Sequence, residues 1–308
     1  MLLLIYKCSF GTARRRLRLL SATLIISLAA PAWAARAEEP VHGLWIWKAS
    51  ALLQSAQAAP AIRSFCQGEA INEIYLSVAT QYSALDELRI AQLIALLHQS
   101  DIRVEALLSS VDADEIGAAR TKLLDHVQSI LQFNRQHPTQ RFDGIHLDIE
   151  PQQRPENKGP DNLEFLPGLI ATYRAVRVLS ERAGLTLNAD IQSKLLKADL
   201  PLRRALLSAS PRLTLMLYES SNPERSASAA QQLAKLRQSS QTLLDMAYAG
   251  LDNANLARIA IALRTPDYGP LLPQMLAALD AAYRSNPRYL GWARHSYNDT
   301  LATVADAP

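Results

Sequence analysis

Residues 141–152 read RFDGIHLDIEPQ, with His146, Asp148 and Glu150 at every second position and Ile145, Leu147 and Ile149 between them. Successive side chains of a strand point to opposite faces. As a strand, the segment therefore puts three polar groups on one face and three branched aliphatics on the other. Alternate residues lie roughly 6.5–7 Å apart along a strand, so Asp148 can reach Glu150 or a ligand shared with it. Two carboxyls that close resist ionising together, and the pKa of one rises. A carboxyl that keeps its proton near neutral pH is what a general acid requires. His146, Asp148 and Glu150 could also offer three metal ligands. No H-x-H or H-E-x-x-H cluster supports that use, so neither a metal nor another cofactor is expected. Asp143, just before Gly144, is expected to bond the turn at the strand's start.

The elements that would hold these groups follow from apolar spacing. Strand-like runs cover 44–48, 73–79, 103–109, 144–150, 186–192, 213–218, 259–264 and 289–295. Helical spacing covers 85–99, 118–136, 165–182, 227–250 and 271–284. Such alternation predicts βα units and a parallel sheet. Eight strands in succession predict an α/β fold of the closed (β/α)8 (TIM) barrel type, which commonly fills about 250 residues as one domain. An open doubly wound sheet is the alternative. No G-x-G-x-x-G or G-x-x-x-x-G-K motif follows a predicted strand to favour its nucleotide-binding form. Barrel chemistry gathers at the C-terminal ends of the strands. Glu150 ends the fourth, with Asp148 one inward step deeper and His146 deeper again. The polar loop PQQRPENKGPDN, 151–162, follows directly and is expected to overhang the site.

The run DGIHLDIE resembles the D-G-x-D-x-D-x-E signature of the family 18 glycoside hydrolases, the chitinase-like barrels. Asp143, Gly144, Asp148 and Glu150 take matching positions, and His146 stands where the signature has its middle Asp. LTLMLYE, 213–219, resembles the family's sixth-strand M-x-Y-D pattern through Met216 and Tyr218, with Glu219 replacing Asp. The two motifs fall on the fourth and sixth predicted strands, as in that family. The resemblance implies three catalytic roles. Glu150 protonates the glycosidic oxygen. Asp148 orients a substrate acetamido group and stabilises its cyclised, cationic intermediate. Tyr218 hydrogen-bonds that same group. Such substrate-assisted cleavage uses no protein nucleophile. The departure at His146 bears on the inner acids: a neutral imidazole cannot share a proton as a carboxylate pair does, and a cationic one lowers the pKa of Asp148. Substrates without an N-acetyl group need a second carboxylate, with Glu219, Asp190 and Glu105 as candidates.

Aromatic residues stand at predicted strand ends: Trp45 and Trp47, Tyr75, Tyr218, Trp292 and Tyr297. Their faces can stack on the apolar face of a sugar ring. With only 6% of the chain aromatic, that placement is informative. Trp47, His146, Asp190, Gln192, Met216, Glu219, Trp292 and His295 are the expected substrate-binding positions. A glycoside hydrolase acting on a polysaccharide, one containing N-acetylated amino sugars, is the leading reading. A non-catalytic, lectin-like barrel using the same cleft is the rival, favoured by His146 and opposed by Glu150. No G-x-S-x-G elbow points to serine chemistry.

Residues 1–37 read as a secretory signal: Arg14, Arg15, Arg16 and Arg18, an apolar run over 19–30, then A-x-A sites at 32–34 and 35–37. The apolar run falls short of the roughly 20 residues that span a bilayer, although an uncleaved anchor stays open. The remaining 38–308 is expected to form the single barrel domain, periplasmic or secreted. Six basic residues and no acids lie in 1–37, so the formal charge of +3 becomes −3 without them. No basic stripe with interleaved aromatics remains, which argues against nucleic acid as a partner, and no membrane contact is expected once the signal is cleaved. Cys8 leaves with the signal, and Cys66 then has no disulfide partner. It is expected to act as a small buried hydrophobe in a helix. Oligomeric state is not legible in the sequence.

Overall fold

A computed structural model describes residues 39–81, 83–114, 117–159, 161–218, 228–252 and 255–305, the last four with backbone only. The expected signal segment and Glu219 lie outside the described residues. Eight strands close into one barrel in sequence order, every neighbouring pair parallel. They are β1 (Val41–Ile46), β2 (Glu73–Ser77), β3 (Arg103–Ser110), β4 (Gly144–Ile149), β5 (Thr186–Gln192), β6 (Arg212–Met216), β7 (Arg258–Arg264) and β8 (Tyr289–His295). The closed order excludes the open doubly wound alternative.

The strands carry branched aliphatics at alternate positions, and these form the layer beneath the helices. Leu44, Ile46, Ile74, Leu76, Val104, Leu108, Ile145 and Leu147 are all buried there. Helices Ala84–His98, Ala118–Gln136, Leu166–Arg182, Ala229–Tyr248 and Leu272–Tyr283 cover that layer. Their starts are marked in the sequence. Ser83 accepts from Asp86 N, and Ser228 with Gln231 closes a capping box. Further helices outside the predicted helical ranges are Ala58–Gly68, Leu200–Ala209 and Tyr297–Ala305, besides the single turns Ala49–Leu52 and Thr265–Tyr268. Cys66 is buried in the first of them, as expected. Among the described residues, no helix is long and apolar enough to cross a membrane.

Two glycines are demanded by the closure. A Cβ on Gly144 would lie 2.2 Å from Thr186 Oγ1, and one on Gly291 would lie 1.9 Å from the carbonyl oxygen of Val41. At Gly291 the chain also takes φ 148°, beside an irregularity in the β7–β8 pairing at Ile259/Ala260.

Candidate active site

The lower barrel is filled with charge rather than aliphatics. Glu73 and Glu105 are both buried. Arg212 on β6 pairs with both, reaching Glu105 Oε1 at 3.1 Å. Arg103 Nε donates to Glu73 Oε2 at 3.3 Å, and Thr186 Oγ1 donates to Glu105 Oε1 at 2.9 Å. Burial alone would raise the Glu105 carboxyl. Arg212, followed by His146 and Thr186, outweighs it and holds the group at about 2. For Glu73, burial and the charge of Glu105 win over Arg212, and its pKa is raised.

His146 is fully buried and bridges Glu105 of this layer to Asp190 without lining the cleft, so the expectation that it contacts substrate is corrected. One ring nitrogen, Nδ1, lies 3.3 Å from Glu105 Oε2, and the other, Nε2, lies 2.8 Å from Asp190 Oδ1. The ring stacks on Tyr75 with centroids 3.8 Å apart, and Trp45 meets it edge-on. Burial would strip its proton, but Asp190 and then Glu105 hold the imidazolium and raise it to about 9. With both nitrogens facing carboxylates, no lone pair remains for a metal. Tyr75 and Trp45 join Leu107, Ala262 and Ala293 as an apolar floor, so they are packing residues rather than cleft aromatics.

Above this floor, Asp148 and Glu150 face an open cleft of about 250 Å³ lined also by Trp47, Ser109, Ser110, Val111 and Gln153. Asp148 is pushed up to about 8 by burial, then by the charges of Asp190 and Glu150; His146 opposes this and has the smallest effect. The cationic His146 does pull Asp148 down, as its charge predicts, but burial and the charges of Asp190 and Glu150 outweigh it. The Glu150 carboxyl is also raised, by burial first and Asp190 after it, against a hydrogen bond donated by Gln153. Two turns of 3-10 helix, Pro151–Gln153 and Pro155–Asn157, carry Gln153 to that position. Arg154 Nη2 anchors them on Asp114 Oδ2 at 2.8 Å, and Lys194 Nζ donates to the carbonyls of Asn157 and Gly159. The expected overhanging loop thus contributes directly. Asp143 accepts from Val104 N at 2.8 Å and bonds His98, so it is structural, as expected, but it ties the start of β4 to β3 and to helix Ala84–His98 rather than bonding its own turn.

Across the mouth, Trp47 follows β1 and is fixed by Asn298, which bonds both its N–H and its C=O. Its Nε1 donates to His295 Nε2 at 3.1 Å. His295 accepts with that nitrogen, and burial lowers its pKa, so the ring is neutral. Tyr218 lies 5.7 Å from His295, centroid to centroid, with Arg264 over its ring at 4.9 Å. Burial and then Asp190, Asp148 and Glu150 raise the Tyr218 hydroxyl well above its ordinary value. Gln192 and Met216 are paired at the ends of β5 and β6, one step along from Asp190. These residues therefore assemble round one mouth.

Trp292 does not join them. The parity that turns Gly291, Ala293 and His295 inward turns Trp292 outward. It is buried under helix Leu272–Tyr283, stacked on His42 at 4.2 Å and bonded to Asp280. It is a packing residue, and the expectation that it lines the cleft is corrected. Sequence reasoning missed Ser109 and Gln153. Ser109 was readable, since it shares the inward parity of Glu105 and Leu107. Gln153 needed the loop's conformation.

No protein-family model and no curated protein matches the chain. Solved structures do match in fold. A chitinase from Chromobacterium violaceum superimposes with a TM-score of 0.50 at 13% identity, covering 83% of this chain and 94% of that one. A chitinase from Bacteroides thetaiotaomicron gives 0.51 at 13%, covering 85% and 93%. The C-terminal domain of a putative chitinase from Desulfitobacterium hafniense gives 0.51 at 14%, covering 73% and 66%. The chain thus shares the barrel fold of chitinase structures, at identities where fold alone is shared.

Proposed function

We propose that the protein is a glycoside hydrolase that cleaves a polysaccharide containing N-acetylated amino sugars, with Glu150 as its general acid. The observation that carries this reading is the setting of Glu150. It is a rim carboxyl with a raised pKa, opening on a cleft beside a fixed tryptophan. Burial raises its pKa above the ordinary carboxylate value, the direction a general acid needs, and it protonates the leaving oxygen as the glycosidic bond breaks. Trp47 offers an apolar face to one sugar ring. Asp148, immediately below, receives the acetamido group and balances the charge that develops on it, with Tyr218 as a second partner. No protein nucleophile is needed for this route. The shared fold with chitinase barrels supports the substrate class, and the signal-like residues 1–37 support action outside the cytoplasm on an external polymer.

The test is Glu150→Gln, which keeps the shape and removes the proton. Turnover of soluble amino-sugar oligomers is expected to fall by about 10²–10⁴-fold, while binding of the same oligomers survives. A wild type that binds one glycan from a broad panel yet cleaves none would sink the hydrolase reading and leave a lectin-like barrel.

A further inference from the structure

We propose that Asp190, on β5, is the proton partner of Asp148: one proton is shared across the β4–β5 seam, and His146 anchors the far side of the pair. The register places the two acids side by side. Leu147 pairs with Ala189, so the next inward residues on the adjacent strands are Asp148 and Asp190, on chains roughly 4.8 Å apart. Asp190 Oδ1 is occupied by His146 Nε2 at 2.8 Å. Its other oxygen, Oδ2, is buried with no hydrogen-bond partner among the described residues, and so is Asp148 Oδ1. Two buried acceptor oxygens cannot both go unpaired without cost. A single proton between two carboxyls satisfies both.

The surrounding groups keep that proton in place. His146 and Glu150 flank Asp148 on β4, with Tyr218 beyond β6 and Tyr173 on helix Leu166–Arg182 behind. Tyr75 on β2 and His295 on β8 also feel Asp190. The tyrosines are neutral, because burial raises all three, and His295 is neutral because burial lowers it. His146 is the only cation among them. It is bonded to Asp190 rather than Asp148, which leaves the proton resting on Asp148.

This pairing deepens the proposed hydrolase reading. As positive charge develops on a substrate in the cleft, the O–H bond of Asp148 breaks and one forms on Asp190 Oδ2. Negative charge passes from Asp190 to Asp148, and the net charge is unchanged. Asp190 is thus a positioning residue, acting through Asp148. It takes up the proton that the imidazolium of His146, already fully protonated, cannot accept.

The test needs no substrate. Protein labelled with carbon-13 at the aspartate carboxyls is titrated from neutral to alkaline pH by NMR. In the wild type, the Asp148 resonance is expected to pass through a transition at about pH 8, and the carboxyl carbon of Asp190, its proton partner, to sense that transition. In Asp190→Asn, Asp148 is expected to titrate at least about one unit lower, because a like charge has gone. In Asp148→Asn, which keeps the neutral shape and so keeps the fold, the Asp190 resonance is expected to lose the transition. An Asp148 already ionised at neutral pH, an Asp148 unmoved in Asp190→Asn, or an Asp190 that keeps its transition in Asp148→Asn each overturns the pairing. Failure to cleave glycans would sink the hydrolase reading and leave this titration as it stands. Where cleavage is measured, the alkaline limb of the pH–rate profile moves with Asp190→Asn.

Discussion

Replacing Asp148 by Asn is expected to stabilise the protein at neutral pH and to leave its stability unchanged in acid. In the folded chain, burial first and then Asp190 and Glu150 lift this carboxyl from 3.8 to about 8. An acid with a raised native pKa holds its proton where the unfolded chain has lost it. The native state then binds more protons than the unfolded state, and stability falls as pH climbs from 3.8 through about 8. Each unit is worth about 1.4 kcal/mol. At neutral pH roughly three units separate the solution from the unfolded pKa, giving about 4 kcal/mol as an upper figure. Asp148 keeps some contact with the cleft, so about 2–4 kcal/mol is the working range. Asparagine carries no ionisable proton and fits the same space, so it escapes this penalty. Urea unfolding of both proteins, followed by tryptophan fluorescence at several pH values, measures the gap directly. The gap should be near zero below the aspartate range, widen through neutrality and level off above about pH 8. A gap that does not grow with pH, or a variant less stable at neutral pH, refutes the reasoning.

Other expectations follow from the ionic floor and the closure points. Gly144→Val forces a side chain into Thr186 Oγ1 and, at 2.8 Å, Glu105 Oε1; a loss of about 1–3 kcal/mol or more is expected from chemical denaturation. Arg212→Met leaves Glu73 and Glu105 buried without their shared cation, and about 3–5 kcal/mol should be lost; an unchanged urea midpoint would refute the bridging role. Burial pushes the Cys66 thiol up to about 12, so a thiol reagent should leave it untouched in the native protein and react only after unfolding.

Much of this architecture was readable because period-2 aliphatics alternate with helical stretches along the chain. On β4, Ile145, Leu147 and Ile149 specify the buried outer face, and the same alternation brings Asp148 and Glu150 to the cleft. β1 begins at Val41, three residues before the predicted start, and includes Gly43, where the Tyr75 ring occupies the space a Cβ would need. Helix Leu200–Ala209 escaped notice since Pro201 and two arginines blur its apolar spacing; Asp199 caps it by accepting from Leu202 N. The His146 bridge was illegible for a different reason. Its partners Glu105 and Asp190 sit on separate strands, and only the barrel's register, set by contacts distant in sequence, brings them to one ring. Trp292 was misplaced for want of applying one parity consistently along β8.

The guanidinium of Arg212 has a consequence for how this chain can be divided. It stands on β6, yet the two acids it neutralises come from β2 and β3. A fragment ending after β4 would keep Arg103 beside Glu73 and His146 beside Glu105 but lose the guanidinium that bridges the two acids. The first four βα units are therefore not a self-sufficient building block, and permuted or split versions of the protein must keep those distant pieces in one assembly.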